Sequence, residues 1–181
     1  ITTTNPPKTQ GHDAHSGGDV IDGTSPNKSA SQLAKVVDDY GHALRLRPES
    51  PLALNNWAWF LVTCSDPAFR DSVVAVECAT RAVKLAPKGG ADWTTVGAAD
   101  SRAGRWTEAI AALEKSLEIQ EDNPCDWYFL AMANWQLDHR QEALRCLKKA
   151  DDAKESTNLK DVELRNIRAE TVLMLQTSAT Y

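Results

Sequence analysis

GADWTTVGAADSRAGRWTEAIAALEKSLEI, at residues 90–119, and PCDWYFLAMANWQLDHRQEALRCLKKADDA, at 124–153, decide how this chain is read. Laid one above the other at a shift of 34 residues, they align without a gap. Asp92-Trp93 meets Asp126-Trp127, Gly97 meets Ala131, Glu108-Ala109 meets Glu142-Ala143, Leu113 meets Leu147, and Ser116 meets Ala150. A fixed period of this size marks a solenoid, in which each unit buries its apolar face only against its neighbours. Two helices per unit fit the apolar spacing. The first copy predicts helices over about 91–103 and 106–119, with Gly104 at the turn. In the second copy Asn123 can cap, Pro124 can take the first helical position, and Asp138 can cap the second helix.

Counting upstream, a further unit starts at Pro51, with Leu54, Trp57 and Ala58 in its first helix and Ala75, Ala79, Ala82 and Pro87 in or after its second. It needs five extra residues between its helices, within TCSDPAFRDS at 63–72. Before it, Leu33, Val36, Val37, Tyr40, Ala43 and Leu44 ahead of Pro48 predict a lone helix over 31–47, since GGDVIDGTSP at 17–26 cannot form a partner for it. At the other end, DVELRNIRAETVLML predicts an amphipathic capping helix over 160–176. Caps are expected because an interior repeat would otherwise expose its core face. Residues 1–29 are rich in Thr, Ser, Gly, Pro and Asn, and read as a flexible linker or tail beside a domain spanning 30–176.

These residues resemble the tetratricopeptide repeat (TPR), a 34-residue helix pair with an early aromatic and small residues where its helices cross. Trp93 and Trp127 match the aromatic, and Gly97/Ala131, Ala109/Ala143 and Ser116/Ala150 the small positions. The resemblance implies an all-α fold, a short right-handed α-solenoid of antiparallel helix pairs with flanking cap helices. More narrowly, the runs from residues 53, 93 and 126 resemble the TPR tails of large bacterial multidomain proteins, where such a tail often follows a Ser/Thr kinase domain or a WD40 propeller. That implies a regulatory or docking region of a larger scaffold protein.

In this family the first helix of each unit lines a concave groove. Carried over, that implies a partner-binding surface made of Asn55, Trp59, Thr94, Ser101, Arg102, Tyr128, Met132 and Trp135. Trp, Tyr, Met and Arg are enriched at interfaces, and the Asn55 amide can both donate to and accept from an extended peptide. Trp57, Trp93 and Trp127 fall at structural positions instead. Trp59 and Trp135 are divided between groove lining and packing under a cap or neighbour. The carboxylate clamp of chaperone-binding relatives is absent. Its matching sites, Asn55, Trp59, Thr95, Cys125 and Phe129, do not carry the residues it needs.

Composition narrows the partners. The net charge is −5 and no lysine- or arginine-rich block occurs, so neither nucleic acid nor an anionic membrane surface is expected as a partner. No apolar run approaches the roughly 18 residues of a membrane span. The four cysteines, at 64, 78, 125 and 146, form no CxxC. They read as buried small hydrophobes, with a Cys64–Cys78 bridge as the alternative, and nothing else points to an oxidising compartment, which leaves a cytoplasmic expectation. His12 and His15 lack further ligands for a metal, and His42 and His139 read as surface residues. No catalytic or cofactor motif occurs, so no cofactor and no enzymatic activity are expected. The expected function is therefore binding of another protein or peptide in the groove. The alternative is a structural module for self-association or spacing, and a third reading lets the 1–29 tail fill the groove.

Overall fold

The computed structural model describes residues 29–157 and 162–177, so the 1–28 part of the expected tail lies outside the described residues. The described residues form α1 (Ala30–Leu46), α2 (Pro51–Thr63), α3 (Ser72–Leu85), α4 (Gly90–Arg102), α5 (Trp106–Ile119), α6 (Pro124–Gln136), α7 (Arg140–Thr157) and α8 (Val162–Thr177). No strand occurs among them. The architecture is an all-α solenoid.

Local chemistry sets the helix starts. Ser29 and Gln32 close a reciprocal capping box on α1. Ser50, Asp71 and Asn123 each accept a backbone N–H at the start of α2, α3 and α6, and Pro51 and Pro124 open their helices where a missing N–H costs nothing. At Asp138 the structure corrects the expectation of a cap. Asp138 takes a left-handed conformation (φ 64°) between α6 and α7, as Gly104 does (φ 74°) between α4 and α5. These two residues stand at the same point of the period and turn the chain between paired helices.

α2 pairs with α3, α4 with α5 and α6 with α7, and α3 and α5 pack on the next pair. The first helices α2, α4 and α6 adjoin one another along one side. The pairs are held close by small residues: Ala58, Ala75, Ala79, Ala82, Ala109, Ala131, Ala143, Ser116 and Ala150 are fully buried. Gly97 shows why. A Cβ there would sit 2.4 Å from Leu113 Cγ and 3.1 Å from the Ala109 carbonyl, so α4 and α5 cross with no room for a methyl group.

α1 docks on α2 through Tyr40, whose ring centroid lies 5.3 Å from Trp57 and 6.1 Å from Phe60, while Trp57 and Phe60 stack at 5.5 Å. The insertion between α2 and α3 contains a short 3-10 turn, Pro67–Phe69, capped by Asp66. No disulfide joins the four cysteines, of which Cys64, Cys78 and Cys146 are buried, so the bridge between Cys64 and Cys78 is not formed.

α8 does not stack on α7 as the first helix of a further repeat would. It packs against α6 and runs along the concave side, reaching Trp59 on α2 and Arg102 on α4. The expected end cap is thus a helix laid across the inner face.

Candidate functional site

The α2, α4 and α6 positions expected to line the groove meet two different environments. At one end of the concave face is an open cavity of about 250 Å³, lined among others by Asn55, Asn56, Trp59, Thr94, Gln120 and Asn123. Over the rest lies α8.

The cavity wall is a hydrogen-bonded network. Thr94 Oγ and Ser116 Oγ lie 2.9 Å apart, and Gln120 Nε2 donates to both, at 2.9 and 3.0 Å. Asn123 Nδ2 donates to Thr94 Oγ at 3.1 Å, which ties the α6 cap residue back to α4. Ser116 Oγ lies 2.7 Å from the fully buried Asp126 Oδ2. Burial pushes the Asp126 carboxyl up to about 6, against the pull of its hydrogen-bonded neighbours Thr94, Ser116 and Gln120. Asn55 contributes a buried side-chain carbonyl that no group of the described residues pairs with. That oxygen is itself almost wholly covered, so it is an unmet acceptor within the fold and not an open one in the cavity.

α8 holds to the concave face by three polar clusters and one apolar stripe. Near its start, Trp59 Nε1 donates to Glu163 Oε2 at 2.9 Å. At its middle, Glu170 receives Arg70 from the insertion at 2.7 Å and, through its other oxygen, Arg102 from the end of α4. Burial works against the charged form of Glu170, yet Arg102 and Arg70 together hold its carboxyl below the usual value. Beside them, Arg168 Nε and the Tyr128 hydroxyl both donate to Asp151 Oδ1, each at 2.7 Å. Burial raises the Tyr128 hydroxyl further above its ordinary value, and the Asp151 carboxylate adds to this. The stripe is Leu164, Ile167, Thr171 and Leu175, all buried, at the spacing of one helix face.

The structure places the sequence-derived residues accordingly. Asn55 and Trp59 are half-buried, and both line the cavity, with Trp59 also bonded to α8. Thr94 lines the cavity through the network just described. Ser101 is buried and donates to the Gly97 carbonyl at 2.9 Å. Arg102 grips α8. Tyr128, Met132 and Trp135 are buried; Trp135 packs with Leu175, and Arg140 lies over its ring at 3.9 Å. An open aromatic patch at the third repeat is therefore not what this face presents, because α8 covers it. Trp57, Trp93 and Trp127 pack against the core.

Sequence reasoning passed over Arg70, Asp151, Glu163, Arg168, Glu170, Gln120 and Asn56. The signal for α8 was available only in part. Glu163 and Glu170 stand seven residues apart beside an apolar face, a spacing that aligns them on one side of a helix. Their arginine partners lie on other repeats and have no sequence register with them. His42 is exposed and His139 lies against the Asn134 side chain at 3.2 Å. Among the described residues no three His, Cys, Asp or Glu side chains gather as a metal site, and no helix is long and apolar enough to cross a membrane.

The family model described as tetratricopeptide repeat matches residues 127–157, which is α7 with nearly all of α6. The Small glutamine-rich tetratricopeptide repeat-containing protein 2 of Mycosarcoma maydis is 33% identical over 95 residues, 52% of this chain and 26% of that protein. The chain thus spans about a quarter of the length of the curated relative it matches. The crystal structure of MamA superposes with a TM-score of 0.56 at 16% identity, covering 83% of this chain and 93% of that one. A MamA RS-1 double mutant superposes at 0.57 and 18% identity, covering 72% and 70%. The third helix pair of this chain thus matches the tetratricopeptide-repeat model, and the whole shares the α-solenoid fold of these solved structures.

Proposed function

We propose that this chain is a protein-binding module that receives a segment of its partner at the open cavity of the concave face. Tetratricopeptide repeats mediate protein–protein interactions, and the fold here is of that type. One observation carries the placement: the open cavity sets the side-chain amides of Asn56, Gln120 and Asn123 beside the apolar surface of Trp59, Ala91 and Cys125. Such a lining suits the main chain of an extended peptide, which brings alternating donors and acceptors and no net charge. Trp59 at the cavity edge supplies the apolar contact. The roles of Asn55, Trp59 and Thr94 in partner binding, and membership of a longer regulatory or scaffold protein, are parts of this proposal.

A displayed peptide library selected against the full chain tests it. Selected peptides are expected to lose about tenfold or more in affinity with Asn55→Ala, as hot-spot residues do. They should be indifferent to Leu144→Ala, an exposed side chain on α7. Equal affinity for wild type and Asn55→Ala would remove the cavity from the function.

A further inference from the structure

Arg70 and Arg102 are anchored without α8. Arg70 Nε donates to the Cys64 carbonyl at 2.7 Å and Arg102 Nε to the Val62 carbonyl at 3.2 Å, both at the C-terminal end of α2. The end of a helix leaves such carbonyls without partners and carries partial negative charge, so it fixes the two guanidiniums in place. Their remaining N–H groups converge on one carboxylate, that of Glu170. Both arginine side chains are largely buried, so this position strongly disfavours being left without an anion. Beside it lie α6, on which α8 packs with Leu164 and Ile167 buried in the shared core, and the Trp59 N–H that donates to Glu163.

We infer that the concave face is a pre-formed receptor for an amphipathic helix carrying carboxylates seven residues apart, and that α8 is its intramolecular occupant, exchangeable for a partner helix of the same chemistry. Three features support exchange rather than a permanent cap. α8 packs on α6 and reaches back to Trp59 on α2 and Arg102 on α4, with α7 met through Arg168–Asp151 and the Leu175 end, instead of stacking along α7. Its outer face shows Leu173, an exposed residue, to solvent. Its carboxylates are matched by donors that α2 already positions, so a second helix meets a site that needs no rebuilding. The inference goes beyond the cavity proposed above, which α8 leaves open, and either can fail alone.

The test uses the full chain and a fluorescent peptide of residues 162–177, VELRNIRAETVLMLQT, as probe. The wild-type protein should bind it weakly, because α8 competes at high effective concentration. Glu170→Gln in the protein weakens the internal occupant and should raise peptide affinity about tenfold or more. The same peptide carrying Glu170→Gln should show no such gain, and adding Arg70→Gln and Arg102→Gln to the protein should abolish it. Should Glu170→Gln unfold the chain, the wild type still decides the matter. Excess unlabelled peptide should then speed amide exchange in the protein's own residues 162–177 while α4 and α6 stay protected. Unchanged peptide affinity in the folded variant, or unchanged exchange of α8 in the wild type, overturns the inference. Reversible dimers that trade α8 and resist the peptide would assign the face to a second copy and overturn it equally. A library-selected ligand that depends on Asn55 and ignores α8 would leave the cavity standing while this inference fell.

Discussion

Thr94 and Tyr128 stand 34 residues apart, at the same point of the second and third repeats, yet they meet different surroundings. Thr94 is buried too, but in a hydroxyl and amide network behind the open cavity. Tyr128 is fully buried and donates to Asp151, which also receives Arg168 from α8. Asp92 and Asp126 divide in the same way: the first is half-buried, while the second is sealed between α4, α5 and α6 against Ser116. The third repeat has thus given its inner face to packing, and the second keeps part of its own at the cavity. A repeat position fixes where a side chain points. What covers that side chain depends on an element outside the repeat.

The largest effect should separate the equivalent residues directly. Tyr128→Ala removes a fully buried ring and one of the hydrogen bonds to Asp151, which keeps Arg168, and is expected to cost about 3–5 kcal/mol, the usual range for losing a core aromatic. Thr94→Ala removes a hydroxyl from a network with alternative partners and should cost about 1 kcal/mol. Urea denaturation of both variants checks this; equal losses would mean that the two repeats are not used differently.

Next comes a pH effect located at Asp126. Its carboxyl is held at about 6 in the folded chain, well above its unfolded value, so the native state binds the extra proton between about pH 4 and pH 6. Stability should therefore fall as pH rises through that window, by an amount on the order of 2–3 kcal/mol from this group. Asp126→Asn should flatten that slope. Asp92, raised by burial alone, should add a smaller slope of the same sign. Glu170, held low by its arginines, contributes the opposite slope in both proteins, so a pH dependence between pH 4 and pH 6 that is the same in the wild type and in Asp126→Asn would contradict the assignment.

The smallest effect concerns the turns. Gly104 and Asp138 both have positive φ, and space around Gly104 is open. Gly104→Ala should cost about 1–2 kcal/mol through backbone strain alone. Asp138→Gly should be neutral or stabilising by less than about 1 kcal/mol, because the strain removed is offset by a looser unfolded chain. Thermal melts measure both changes, and opposite signs at the two positions confirm that they share one turn geometry.

Much of this fold was legible in the chain itself, for a physical reason. The 34-residue period, the Asn123-Pro124 start, the turn at Gly104 and the small residues at Gly97, Ala109 and Ser116 act over one turn of helix or between adjacent helices. Such short-range demands are met by residues at fixed offsets, so the sequence displays them. It also displayed the amphipathic character of α8. The tertiary structure alone decided where α8 lies, because Glu163 meets Trp59 across 104 positions and Glu170 meets Arg70 across 100. Nothing in local spacing joins those pairs; they are brought together only when the solenoid curves and its inner face offers two arginines already held by the end of α2. That placement hides Tyr128, Met132 and Trp135, and leaves the cavity beside Asn55, Asn56 and Trp59 as the open part of the concave face.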